Sequence, residues 1–466
     1  MTHFSPYESG PMYFPAADGG SASVYPTQAP ASSRHSVSGA ENASLARHSS
    51  AAEAEALLPR PKGNPASLVS MWADLVDIGR SPTTGGYRRF ALTPEDGQLR
   101  EWFEQEANRR GLDLAVDRAG NQWAWWGNPD FDGPGIATGS HLDSVPDGGA
   151  FDGPLGVVSA FAALDLLALQ GITLSRPIGI ACFSDEEGSR FGVACSGSRV
   201  LTGALDPDRA RALTDQDGMS YADAMAWAGR APHLLAADPE ALARVDTFVE
   251  LHVEQGRGLI ESKAPVGVAS EIWPHGRWRF AFTGRADHAG TTRMSDRADP
   301  MLTYAMTALA ANKQARSREA RATFGRVTLA PNGTNAIPSQ VTAWLDARAE
   351  APETLDVLVT ELCRQATERA ERDGTTVEIT VESSTGSVSF DVPLRDRLTA
   401  VLGGAPVLPT AAGHDAGVLS AAGIPTAMLF VRNPTGISHS PEEHAELGDC
   451  AAGVRALADV LRDLAI

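Results

Sequence analysis

Gly135-Ile136-Ala137-Thr138-Gly139 runs without a break into Ser140-His141-Leu142-Asp143-Ser144. A short run of this kind, bounded by Gly, reads as a buried strand over 135–139 with an imidazole just past its end. Eleven positions on, Phe151-Asp152-Gly153 sets a carboxylate on a second Gly-rich loop, ahead of helical apolar spacing over 155–169. The arrangement recurs. Ile178–Phe183 reads as a short buried strand ending in Asp185-Glu186-Glu187-Gly188, and residues 246–251 as a strand leading to His252-Val253-Glu254-Gln255. Thr426–Val431 is another strand, followed by Ser438-His439. Helices over 67–76 and 95–110 and a strand over 121–126 complete the alternation. Such a pattern predicts an α/β fold whose sheet is covered on both faces. Sites in these sheets gather at the carboxyl ends of the strands.

Between the His252 and His439 motifs the pattern changes. Strands over 277–283, 323–329, 341–349 and 376–382 and helices over Pro300–Arg316 and 353–372 follow the β-α-β-β-α-β order of a ferredoxin-like split unit. Candidate ligands flank it on both sides, so it is an insertion. The expected organisation is an Ala/Ser/Pro-rich disordered tail over 1–63, a catalytic domain over 64–270 and 387–466, and an inserted α+β domain over 271–386.

Three His and two carboxylates, with one Glu to spare, fit two divalent metal ions that share a bridging carboxylate. A lone His or Asp on a loop is more often structural. The order H…D…EE…H…H, each member beside Gly or at the end of an apolar run, is much harder to reach by chance. On these motifs, over about residues 66–464, the chain resembles the hydantoinase/carbamoylase amidase branch of the aminoacylase/carboxypeptidase metallohydrolases.

That resemblance implies a mixed-sheet di-metal hydrolase domain with a lid and dimerisation insert, and a homodimer formed through the lid. It implies His141, Asp152, Glu187, His252 and His439 as metal ligands, Asp152 bridging, and Glu186 as general base. Asp143 and His414 would stand behind the ligands, Asp143 orienting an imidazole. Asp287-His288-Ala289-Gly290 matches the motif whose His contacts the attacked carbonyl, although Arg293 stands where Pro is usual. Asn335 and Arg348 on the lid, with Gln255, would bind substrate; the planar fork of Arg348 can pair both oxygens of a carboxylate. The implied reaction is hydrolysis of a linear ureido or carbamoyl group next to a carboxylate. Gln255 and the Trp123-Ala124-Trp125-Trp126 strand favour allantoate over N-carbamoyl-L-amino acids or beta-ureidopropionate. Zinc or manganese suits the N/O donors, with nickel or cobalt as alternatives.

Composition narrows the classes. A net charge of −19 over 466 residues argues against nucleic acid or anionic membrane as partner. Cys182, Cys195, Cys363 and Cys450 form no CxxC pair, so a reduced, cytoplasmic setting is expected. No apolar stretch approaches the roughly 20 residues that cross a bilayer, and no secretory leader is expected. Ser440-Pro441-Glu442-Glu443 reads as a capping box that opens a helix directly after His439. His444 completes a near-zinc signature that Pro441 spoils. Two other classes stay open: a cysteine amidase built on Cys182 or Cys195, and an inactive binding protein that keeps the fold.

Overall fold

A computed structural model describes residues 67–466; the tail expected over 1–63 lies outside the described residues. The strands are β1 (Asp113–Val116), β2 (Gln122–Trp126), β3 (Gly135–His141), β4 (Ile178–Phe183), β5 (Val245–Val253), β6 (Val266–Ile272), β7 (His275–Thr283), β8 (Asp287–His288), β9 (Arg321–Ala330), β10 (Ala336–Ile337), β11 (Gln340–Arg348), β12 (Thr376–Thr385), β13 (Val388–Ser389), β14 (Val407–Thr410) and β15 (Thr426–Val431). The larger sheet runs β1-β2-β4-β3-β5-β15-β6-β13, with β14 added beside β6. Its centre, β4-β3-β5-β15, is parallel. Antiparallel β2 and β6 flank that centre.

β3, β4 and β15 are buried along their whole length, which is why they read as continuous apolar runs without alternation. The helices Pro154–Leu169 and Leu447–Ala465 cover one face with Leu155, Phe161, Leu164, Leu457 and Leu461. Trp123, Trp125, Phe183 and Phe248 fill the other. The first helix approaches the sheet closely at Gly156, where a Cβ would lie 2.4 Å from the Leu251 carbonyl oxygen. Removing Phe161, which is fully buried against Trp102 and Phe103, should cost about 3–5 kcal/mol.

The second sheet has the order β12-β7-β11-β9, all antiparallel. Helices Pro300–Arg316 and Pro352–Asp373 cover one of its faces, giving the split β-α-β-β-α-β arrangement. Strict alternation on β7 and β11 buries Trp278, Phe280, Val341 and Leu345 under the helices. It leaves His275, Arg277, Asp346 and Arg348 on the opposite face, which lines a cavity of about 1440 Å³. That cavity reaches Glu186 and Glu187 past the carboxyl end of β4, Glu254 and Gln255 past that of β5, and Asp152. Among the described residues, no helix is long and apolar enough to cross a membrane.

Candidate metal centre

His141 is the last residue of β3 and His252 the last but one of β5, so both stand inside the strands rather than just past them. The pairing partners are long enough to carry the ladder that far: Phe183 lies opposite His141 and Phe430 opposite His252. Two-residue alternation puts Glu250 on the same side as His252, one step deeper. Asp152 sits on the turn before helix Pro154–Leu169. Gly153 there takes φ 84°, and a Cβ on it would come within 2.4 Å of the His141 ring.

Adjacent carboxylates on regular backbone point apart, so Glu186 and Glu187 need an irregular loop to share a site. Asp185 supplies it with a left-handed φ of 56°. The Asp143 carboxylate then accepts from Glu186 N at 3.1 Å and Glu187 N at 3.0 Å. Asp143 touches His141 Nδ1 at 3.4 Å through Oδ1 and at 3.2 Å through its carbonyl oxygen. It therefore holds the Glu pair as well as the imidazole.

Asp152 divides the cluster. Its Oδ1 faces His252 Nε2 at 3.2 Å and His141 Nε2 at 3.7 Å. Its Oδ2 faces His439 Nε2 at 3.4 Å, and Glu187 Oε1 lies 3.6 Å from that same nitrogen. His141, Asp152 and His252 form one group, and Asp152, Glu187 and His439 another, each with donor atoms within 4.8 Å of one another. Glu186 Oε2 stands 3.7 Å from His141 Nε2. His141 Nε2, His252 Nε2 and Glu187 Oε1 are buried without a hydrogen-bond partner. Orphaned lone pairs converging on two points fit a pair of divalent cations.

The electrostatics point the same way. Burial, then the Asp152 charge, pushes Glu187 up to about 7. Burial raises Glu186 well above the usual carboxylate range, against the opposing pull of His141. Burial would lower His439, but its Asp152 hydrogen bond and the Glu187 charge outweigh it and raise the imidazole to about 9. Carboxylates outnumber imidazoles here, and cations would relieve the excess.

The remaining candidates divide. Gln255 Nε2 donates to Asp152 Oδ2 at 2.7 Å and to Ser438 Oγ at 3.3 Å, so the site includes it. His414 lies 4.5 Å ring-to-ring from His252, and burial holds it well below its ordinary pKa. With Glu250 and His252 it makes a third donor group. The Glu250 oxygens, however, are taken by Ser140 Oγ at 2.8 Å and Ala416 N at 3.0 Å. Glu250 is thereby committed to hydrogen bonds beneath His252. Arg348 lines the cavity, with Nε and Nη2 on Asp346 at 2.7 and 3.0 Å and Nη1 on the Ala411 carbonyl oxygen at 2.7 Å. His288 and Asn335 are neighbours, joined by Ala289 N donating to the Asn335 carbonyl oxygen at 2.9 Å, but neither lines this cavity. His444 pairs with Glu446 at 3.4 Å and takes no part.

The capping box does not form. Residues 440–446 are turn and coil, and the helix begins at Leu447. Glu443 instead reaches across to Phe151 N and Asp152 N, both at 2.9 Å, and accepts from Ser438 Oγ at 3.1 Å. The long-range demand for an acceptor at the Asp152 turn outweighs a local cap. Ser438 Oγ also lies 3.1 Å from Asp152 Oδ2, so its one proton can serve either carboxylate. Neither role has a signal in the local sequence. The cysteine alternative fails on burial, which pushes the Cys182 thiol up to about 12 and the Cys195 thiol up as well. Cys195 Sγ donates to Glu186 Oε1 at 3.4 Å, as a neutral thiol does.

Residues 137–463 match the peptidase family M20/M25/M40. An N-carbamoyl-L-amino acid amidohydrolase of Geobacillus stearothermophilus is 35% identical over 84% of this chain and 96% of its own length. An allantoate amidohydrolase of Escherichia coli strain K12 is 30% identical, with the same shares covered. The crystal structure of a hydantoinase/carbamoylase family amidase from Burkholderia vietnamiensis superposes with a TM-score of 0.80 at 28% identity, covering 87% of this chain and 98% of that one.

Proposed function

The chain belongs to the M20/M25/M40 peptidase family, and from that membership we propose that it is an allantoate amidohydrolase, a di-metal enzyme cleaving a linear ureido C–N bond beside a carboxylate. The observation that carries this reading is the division of Asp152, with two imidazoles at one oxygen and His439 and Glu187 at the other. His141 and His252 would hold one divalent ion with Asp152, and Glu187 and His439 the second. Ions bound there lower the pKa of water towards about 7 and polarise the substrate carbonyl.

Glu186 acts as the base. It takes the proton of the attacking water and returns it to the leaving nitrogen as the C–N bond breaks. Burial raises its carboxyl above the ordinary range, which favours taking up that proton. Carbamate leaves and falls to ammonia and carbon dioxide, and ureidoglycine remains. Arg348 holds the carboxylate. Three of its five N–H donors are engaged by Asp346 and Ala411, which leaves one N–H on each of Nη1 and Nη2 for a further partner. Gln255 faces the ureido group from beside Asp152.

Residues 271–386 are read as a lid and dimerisation domain. Leu302, Met306 and Leu309 on helix Pro300–Arg316 repeat at helical spacing and are 47%, 45% and 66% exposed, an apolar stripe suited to a second copy. A homodimer would bring the partner's His288 and Asn335 to the attacked carbonyl.

Ammonia release from allantoate and from a panel of N-carbamoyl-L-amino acids, with protein loaded separately with zinc, manganese, nickel and cobalt, tests the proposal. Turnover of allantoate supports it. Turnover of carbamoyl amino acids alone establishes the second reading, which the Geobacillus relative favours. Turnover of neither overturns both.

A further inference from the structure

Helix Ser196–Thr202 is tied to the loop that carries Glu186. Cys195 N, Ser196 N and Gly197 N donate to the carbonyl oxygens of Glu186, Asp185 and Ser184 at 2.6, 3.0 and 2.9 Å. A Cβ at Gly197 would lie 2.6 Å from the Ser184 carbonyl oxygen, so helix and loop are in close contact there. Arg199 on this helix lines the same cavity as Asp152, Glu186, Glu187 and Arg348. Its Nε is buried, and its guanidinium has no hydrogen-bond or ion-pair partner among the described residues.

Its neighbours in the cavity differ. Arg190 is satisfied by Asp215 at 3.1 Å and by the carbonyl oxygens of Ala91 and Leu92 at 3.0 and 2.9 Å. Arg348 has Asp346 and Ala411. Strand register places His275 opposite Arg348. His275, Arg348 and Arg199 line the same cavity. The Arg199 side chain is half-buried, and a buried N–H left without an acceptor, as its Nε is, is costly unless a ligand supplies one.

We infer that Arg199 is a specificity-determining residue that takes a second oxygen acceptor of the substrate, a ureido carbonyl or a carboxylate, in the cavity it shares with Arg348. The inference rests on the proposed function for the Arg348 anchor. It deepens that reading, because a substrate with an apolar group at this point would leave Arg199 desolvated and unpaired. Allantoate carries such an acceptor in its second ureido group, as does an N-carbamoyl amino acid with an acidic side chain.

Calorimetry with succinate and butyrate, which share a four-carbon chain and differ by one carboxylate, tests this without turnover. The metal-loaded wild type should bind succinate roughly 10- to 100-fold more tightly, the worth of a hydrogen bond to a charged group. Arg199→Met should reduce that ratio at least about tenfold while Arg199→Lys keeps most of it. Arg199→Met should also melt no lower than the wild type, since it removes an orphaned buried donor. A wild type with no preference, or an Arg199→Met ratio unchanged, overturns the inference. A lowered melting temperature with both ligands weakened alike makes Arg199 structural and overturns it too. Failure of the proposed function shows separately, as absence of ureido hydrolysis with the succinate preference intact.

Discussion

Replacing Glu443 by Ala should loosen the bridging-carboxylate turn without touching any proposed ligand. The side chain is 5% exposed and one of its oxygens accepts two main-chain N–H groups, Phe151 N and Asp152 N, at 2.9 Å each. These amides lie just before helix Pro154–Leu169, where the helix dipole also favours an anion. A hydrogen bond to a charged acceptor is worth about 1.5–3 kcal/mol, and the two N–H groups would be left in a poorly hydrated place. Glu443→Ala should therefore cost about 3–5 kcal/mol, and Glu443→Gln, whose amide oxygen can still accept, about 1 kcal/mol. Urea unfolding of chelator-treated protein, followed by circular dichroism, measures the difference. Gly149→Ala probes the same contact from the other side, because its Cβ would fall 2.3 Å from Glu443 Oε1. Competition with a chromophoric chelator should show zinc bound about 10- to 100-fold more weakly by Glu443→Ala. An unchanged unfolding midpoint together with zinc affinity within about twofold of wild type would refute the reasoning.

Glu186→Gln should retain its metal, measured by elemental analysis, and lose about 10²- to 10⁴-fold in kcat; a near-normal rate assigns the base elsewhere. Chelation should abolish activity and readded zinc or manganese restore it, whereas a thiol alkylator should leave the native protein active, because Cys182 and Cys195 are buried. Asp165→Ala should destabilise by about 1.5–3 kcal/mol in a denaturant melt, because it removes the acceptor of Arg110 Nε and Nη2, at 2.8 and 2.6 Å, and leaves Glu106 as the one charged partner of that buried guanidinium. Burial would raise Asp346, but the Arg348 hydrogen bond and charge outweigh it and hold the carboxyl below its ordinary value. Its stabilising contribution is therefore complete above about pH 4 and lost as pH falls through the depressed value. Asp346→Asn should flatten the acid limb of a stability–pH curve and raise KM for carboxylate substrates more than it lowers kcat.

Much of the architecture was legible because local chemistry and tertiary demand agreed. β3, β4 and β15 are buried on both faces, and that burial writes itself as unbroken apolar runs. The alternation on β7 and β11 records one face under helices and one open to the cavity. His141, Asp152, Glu186, Glu187, His252 and His439 stood out since each sits beside Gly or at the end of an apolar run. Helix and strand ends shifted by a residue or two, as ladder partners extended β3 and β5 to include their histidines.

Other features depended on contacts between distant segments. Ser440 to Glu443 carries every local mark of a helix start, yet Glu443 binds amides 291 and 292 positions away because the Asp152 turn requires a buried acceptor. The absence of a partner for Arg199 is equally invisible in one dimension, since a solvated arginine and an orphaned one are spelled alike. By itself the sequence determined which residues could carry the chemistry and the order of elements bearing them, for periodicity and residue type are local properties. Which oxygen of Asp152 faces which imidazole, and which buried donors wait for a ligand, were decided only by the packed structure, where desolvation ties together groups that the chain keeps far apart.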